Sequence, residues 1–543
     1  LNLFRKDTLT PQTDRIYKVP LCIQDTIPIY RIAENGIFEL ESPTNKDGGK
    51  KKLHQFDKMY LFEDINFSTQ DEQEKEETSK RFETLLRSMN VSYKIIVSNH
   101  YADNGKLREE ILQKAVSKER EPLAREYHQM IEERLQEGRG GLLQSKYFIV
   151  TCRKPDYESA KNYFNTIEFS IQQLFHRLGS CLIPLDATER LRALHSYYRM
   201  GDEASFSFDW NEYLHLKRDW RNDIINTSLR EYPEHLEMEG GNCACVMFIR
   251  KYPNGLTDQF LNELTNMSFP LIYTMDVEPL DNDVAYQMVM KKYMSNERSI
   301  NREQELKNEN GDYSTNINYE RRKQQRDTEE MLERISSFDE RLLYVGITIV
   351  IKASSREELE ERTEKVRIIG KTHNMDIVPY SHRQLDALNT SLPTGARFVN
   401  TMRTITSEEL SIFIPFNVQE IHDDLGYCYG FNKVSKNLII GNRKLLKNGN
   451  GMVFGVPGSG KSYNEKSEMG QVLCFSKDDI IVVDPMGEYK GIAAAWGGQY
   501  INLTQSAENV FYVNPFHVPD EVPDIDRFVA EKAEFAYAIC EQA

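Results

Sequence analysis

Short apolar runs alternate with long charged stretches along this chain, and the same alternation occurs twice. VSYKIIVSN (91–99) reads as a strand, and the charged stretch KLREEILQKAVSKEREPLAREYHQMIEERLQEG after it reads as helical. KYFIVTC (146–152) predicts the next strand, YESAKNYFNTIEFSIQQLFHRLG a helix, CLIPL (181–185) a strand and ATERLRALHSYY a closing helix. FPLIYTMDV (269–277) opens the second passage. It enters a longer polar helical pair, roughly 283 to 338, with Gly311-Asp312 as the break between the helices. RLLYVGITIVIKA (341–353), REELEERTEKVRIIG, MDIVPY (375–380) and RQLDALNTSL then repeat strand, helix, strand, helix. The closing helices share a phrase, LRALHS at 191–196 and LDALNT at 385–390. The matching order of elements implies two related α+β halves.

Before the first half, IYRIAENGIFEL carries Asn35-Gly36 between alternating apolar positions, a short hairpin signal. The basic loop NKDGGKKK follows, and KMYLFEDINF reads as a further strand. After the second half, DLGYCYGFNKVSKNLIIGNRKLLKNGNG (424–451) reads as short strands and turns. The expected division is a small β-rich region over 1–89, one α+β half over 90–200, a second over 201–400, and a nucleotide-binding unit over 401–543. The fold class expected is therefore α+β in the N-terminal region and α/β, RecA-like, in the last part. Stretches such as NYERRKQQRDTEEMLERI (318–335) have few apolar positions, so each is either a solvated helical hairpin or an arm that contacts partners.

Composition narrows the classes. The 543 residues are 28% charged and 40% hydrophobic, and the net charge of −16 argues against a protein whose main task is coating nucleic acid. Eight cysteines are scattered without a C-x-x-C pair and read as reduced thiols. Cys243 and Cys245 would share one face of a strand, with no further metal ligands nearby. No apolar run approaches the ~18 residues of a membrane span, and the first residues lack the apolar core of a signal peptide. A cytoplasmic location is expected, with membrane attachment through partners left open. Neither half shows a catalytic constellation, and His54 and His100 stand isolated.

The chemistry sits at GMVFGVPGSGKSYNEKSEM (451–469), where an apolar run, a glycine-rich turn and a helical pattern succeed one another. Gly455, Gly460, Lys461 and Ser462 fit G-x-x-x-x-G-K-[ST], with Val456, Pro457, Gly458 and Ser459 inside the loop and Tyr463 just after it. Glycines let backbone N–H groups turn inward around a β-phosphate, and the helix start adds its positive end. Lys461 would place a charge between the β- and γ-phosphates, and Ser462 would supply a magnesium ligand, so ATP with Mg2+ is the expected ligand pair. A plain glycine turn between strand and helix is the alternative. DDIIVVDPMGEY (478–489) reads as an apolar strand ending at Asp484. Asp484 is either a magnesium-holding Walker B acid or the end of an ordinary strand after the P-loop helix. With Lys461, Asp484 and Glu488 form the expected catalytic set.

GVPGSGKS, KSEM (466–469), IIVVDPMGEY, GGQYINL (497–503) and VNPF (513–516), in that order, resemble the TraC/TrbE-type ATPases of type IV secretion and conjugation systems, within the FtsK/HerA branch of P-loop motors. The likeness is closest to versions from Gram-positive conjugative elements, and it extends over the whole chain through KMYLFEDINF and the charged hairpin before LLYVGITIVI. The resemblance implies an ATPase that works as a homo-oligomer, with a hexamer as the candidate ring, at the inner face of the membrane. It also implies partnership with channel subunits, and with a coupling protein or a relaxase–DNA substrate. In that family the Walker B strand with its Asp-Glu pair lies well downstream of the DPMGEY-like strand. After residue 489 no run of four apolar residues ends in an acidic pair, so the ATPase domain is expected to be incomplete and its hydrolysis weak. A DNA translocase of the FtsK/HerA kind, or an assembly scaffold without hydrolysis, are the competing functions.

Overall fold

At Gly36 the backbone φ is 77°, and a Cβ there would lie 2.0 Å from the Leu185 carbonyl oxygen, so only glycine closes the first turn. That turn joins β1 (Ile29–Ile32) to β2 (Ile37–Leu40), the expected hairpin. The structure is a computed structural model describing residues 23–40, 53–101, 114–137, 142–199, 205–216, 219–225, 228–238, 241–252, 259–309, 319–337, 340–421, 423, 425–432, 437–502, 514, 516–519 and 523–542. The basic loop NKDGGKKK, the Gly311-Asp312 break and parts of GGQYINL and VNPF lie outside the described residues.

The first half continues with β3 (His54–Phe62), α1 (Glu72–Ser88), β4 (Tyr93–Tyr101), α2 (Glu121–Glu137), β5 (Leu142–Lys154), α3 (Tyr157–Leu178), β6 (Leu182–Pro184) and α4 (Ala187–Tyr198). Its counterpart begins with β7 (Leu229–Glu231), β8 (Leu236–Met238) and β9 (Cys243–Lys251). It proceeds through β10 (Leu271–Pro279), α5 (Asn282–Glu309), α6 (Tyr319–Ser336), β11 (Leu342–Ala353), α7 (Arg356–Thr372), β12 (Asp376–Pro379) and α8 (Gln384–Ser391). Helix starts follow their sequence signals: Asp71 and Asp186 each form a capping box, with Glu74 and Glu189 respectively.

All these strands, with β13 (Arg403–Thr406), join one 13-stranded sheet whose main path runs β1-β2-β3-β5-β4-β10-β11-β9-β8-β7. The path reads the same from both ends once the halves are matched, with β6 beside β3 and β12 beside β9. The two halves meet where β4 and β10 pair antiparallel, placing Lys94 opposite Asp276. Alternate residues feed two cores. Ile95, Val97, Tyr273 and Met275 pack on one side, while Ile96, Ile272, Ile149 and Val350 pack on the other. Helices α1, α3 and α7 cover the first side; α4 and α8, the closing helices with the shared phrase, contribute to the second. The sheet is thus buried on both faces, and β10 is buried at seven successive residues, Leu271 to Val277. Each fully buried aliphatic or aromatic side chain there contributes about 1.5–3 kcal/mol. Cys243 and Cys245 do share a face, and both are buried free thiols.

Two cations inside this sandwich are paired, while the buried hydroxyls of Tyr60, Tyr93 and Tyr273 find no partner among the described residues. Arg190 on α4 is fully buried, donates to Asp57 Oδ1 at 2.8 Å and to the Gly36 carbonyl at 2.8 Å, and lies 3.9 Å from the Phe38 ring centre. Lys94 donates to the Thr390 and Ala396 carbonyls at 2.6 and 2.5 Å.

Contacts divide the chain into a larger unit ending at Ser476 and a smaller one from Lys477. The last part of the larger unit holds the hairpin β14 (Tyr427–Phe431) and β15 (Leu438–Gly441), then α9 (Lys461–Phe475). The smaller unit holds α10 (Lys490–Ala495) and α11 (Ile525–Gln542). Two expected strands are corrected here. Residues 451–454 and 478–484 form no ladder, and Phe454 and Ile481 are 85% and 92% exposed. An apolar run becomes a strand only where another strand pairs with it, and among the described residues none does.

Candidate functional site

The Gly455–Ser462 segment folds as a tight loop into the first turn of α9. A Cβ at Gly455 would come within 2.5 Å of Ser459 Oγ and 3.0 Å of Lys461 Cγ, so any larger residue would push the Ser459 and Lys461 side chains out of place. Gly458 and Gly460 have φ of +79° and +90°, the left-handed conformation that turns successive N–H groups toward one point. Ser459 N–H donates to the Val456 carbonyl at 3.1 Å, which fixes the curl. Lys461 reaches back across it, its Nζ donating to the Gly455 carbonyl at 2.5 Å. Val456, Pro457 and Tyr463 are exposed on the loop's outside, while Ser462 is half-buried in the first helical turn. Gly460 caps α9 without a side-chain acceptor, so the helix's positive end is left for an anion.

The opposite end of α9 is held firmly. Its only fully buried residues are Gln471 and Cys474. The Gln471 amide pairs with the Cys428 backbone in both directions, accepting at 2.7 Å and donating at 3.0 Å, and also accepts from the Tyr127 hydroxyl at 2.6 Å. Arg120 donates to the Leu473 carbonyl and, at 3.3 Å, to that of Ser476, placing a cation on the negative end of the helix. Phe475 lies 5.3 Å from the Tyr127 ring and stacks on His128 at 5.6 Å. One turn nearer the loop, Glu468 accepts from the Tyr429 hydroxyl at 2.7 Å and from Arg443 at 3.1 Å. Burial first, and the Glu468 carboxylate beside it, push the Tyr429 phenol up to about 12. None of these partners was legible beforehand, because Tyr127 and Gln471 are 344 residues apart and carry no shared pattern.

Asp484 and Glu488 belong to the smaller unit. The Asp484 carboxylate is turned onto its own segment, accepting from Gly487 N–H at 2.9 Å and Tyr489 N–H at 2.8 Å. These backbone donors, that of Tyr489 foremost, hold its carboxyl below the usual range. The DPMGEY stretch is therefore a turn built around Asp484, with Gly487 at φ +72°, leading into α10.

A phosphate-binding loop opening a helix marks the segment as part of a P-loop NTPase-family domain. Residues 436–534 match the TraG P-loop domain, so the chain carries a P-loop domain of the TraG/TraC conjugation ATPase type. The 13-stranded sheet lies outside that match. No curated protein matches the chain. Among the described residues no helix is long and apolar enough to cross a membrane, and no cluster of three metal-ligating side chains occurs.

Proposed function

We propose that this chain binds ATP with Mg2+ as a subunit of a TraC/TrbE-type motor that energises a type IV secretion or conjugation apparatus. The observation that carries the reading is the Gly455–Ser462 loop: two left-handed glycines, an uncapped helix start and a lysine folded across the curl, within a TraG-type P-loop domain. The loop N–H groups and the helix end would hold the polyphosphate, and Lys461 would leave the Gly455 carbonyl for the phosphate oxygens. Ser462, in the first turn, is the residue that would hold magnesium, which supplies charge neutralisation on the β- and γ-oxygens.

Residues 451–460 are exposed throughout. Donors in open water stabilise a developing charge poorly, so hydrolysis by this polypeptide alone is expected below about 1 per second. Self-association, and assembly with channel subunits, a coupling protein or a relaxase–DNA substrate at the inner membrane face, complete the proposed role. Calorimetric titration with Mg-ATP tests the core of it. Saturable binding lost in Lys461→Ala supports the reading; no binding, or binding indifferent to that change, overturns it.

A further inference from the structure

The P-loop helix is a rod gripped at one end and active at the other. From Lys461 to Gln471 it spans about 15 Å at helical rise. Its N-terminal turn carries the proposed anion site, while its fully buried residues, Gln471 and Cys474, lie toward the other end, where Glu468 and Gln471 bond to distant segments. The direction in which the loop points is therefore set by what holds the far end.

One holder is a charged arm of the first half; the other is the β14–β15 hairpin, through Cys428 and Tyr429. Residues 114–137 hang between β4 and β5, two neighbouring strands near the middle of the sheet. Val116 N–H donates to the Cys474 carbonyl at 2.9 Å, Arg120 covers the Leu473 and Ser476 carbonyls, and the Tyr127 hydroxyl reaches the buried Gln471 amide. Ile131 on α2 and Ile440 on β15 form a small apolar core beside these contacts, with Tyr127, Met130, Cys428 and Leu438 around it.

We infer that Arg120 and Tyr127 are positioning residues for the nucleotide site: they latch the C-terminal turn of α9 to the arm and so couple loop occupancy to the β4–β5 part of the sheet. The inference rests on the proposed nucleotide reading. When phosphate draws Lys461 off the Gly455 carbonyl, the loop tightens on the helix start, and the rigid helix passes the displacement to Gln471 and Phe475. A change in the arm travels the other way and alters how well the loop amides converge. Thermodynamic reciprocity requires both directions to have the same free energy.

The test uses the full chain and a slowly hydrolysed ATP analogue with Mg2+, titrated into wild type, Arg120→Ala, Arg120→Lys, Tyr127→Phe and Lys461→Ala. Arg120→Ala is expected to weaken binding about fivefold or more, Tyr127→Phe by less, and Arg120→Lys to recover most of the loss. The melting temperature should stay within about 2 °C of wild type, since these contacts lie outside the two large cores of the sheet. If Arg120→Ala unfolds the chain, Tyr127→Phe, which removes one oxygen, decides the matter. Wild-type affinity in both Arg120→Ala and Tyr127→Phe overturns the latch while leaving the nucleotide reading intact. Failure of wild type to bind, or equal binding by Lys461→Ala, overturns the nucleotide reading and the latch with it.

Discussion

Two arms leave this sheet at matching places and meet different fates. The first, with α2, lies between β4 and β5; the second, α5 and α6, lies between β10 and β11. Both are strongly charged. Yet α2 sets Tyr127, Met130 and Ile131 against the β14–β15 hairpin and the P-loop helix, whereas α5 and α6 pack mainly on each other. The base of the second arm is apolar, with Ala285, Val289 and Ile335 against Leu280 and Leu342 at the strand ends. Beside it the buried Glu340 accepts from Arg334 at 2.6 Å and Ser407 Oγ at 2.5 Å. Farther along, Met294 and Leu306 are about half exposed. A sparse apolar stripe does not decide whether a helix is solvated or docked; what stands opposite it does.

Equal truncations in the two arms should separate their roles. Ile131→Ala and Ile335→Ala each remove a buried aliphatic side chain, and each should cost about 2–5 kcal/mol of local stability, read by hydrogen exchange in its own arm. Only Ile131→Ala should also weaken Mg-ATP binding. Equal losses of affinity in both would erase the distinction drawn between the arms.

A smaller effect belongs to the seam between the halves. Burial holds the Lys94 ammonium down at about 8, with Asp276 at 3.8 Å opposing the shift and Arg397 adding to it. Between that value and the ordinary 10.5 the unfolded chain binds more protons than the folded one, so this group makes stability rise with pH from about 8 upward. Below about 8 the cost of burying the charge is fully present. Chemical denaturation at pH 8 and at about 9.5 should show that rise in wild type and a flatter response in Lys94→Met. An unchanged slope in the variant would remove Lys94 as its source. The smallest effect is expected at the exposed face of the second arm, where Met294→Ser should change stability by no more than about 0.5 kcal/mol, measured by the same denaturation. A larger loss there would mean that this face is covered.

The duplication was legible because both halves repeat the order strand, charged helical stretch, strand, helix, strand, helix, and each element carries its own periodicity. Asn35-Gly36 and the Gly455–Ser462 loop were legible for a local reason: left-handed glycines and close backbone approaches restrict the residue type at the position itself. Residues 451–454 and 478–484 read as strands and are not, because apolar character records a preference for burial and says nothing about an available edge. Asp484 could not be assigned from spacing. Its carboxylate turns onto the amides of Gly487 and Tyr489, a choice made by backbone geometry.

By itself, the sequence determined the repeated α+β pattern, the glycine loop and the lysine that crosses it, all set by interactions within a few residues. Tertiary structure alone decided that the halves share one sheet through β4 and β10, and that Arg120 and Tyr127 close on a helix more than three hundred residues away. Hydrogen bonds and packing between distant segments depend on where the chain returns in space, and no local periodicity encodes that return.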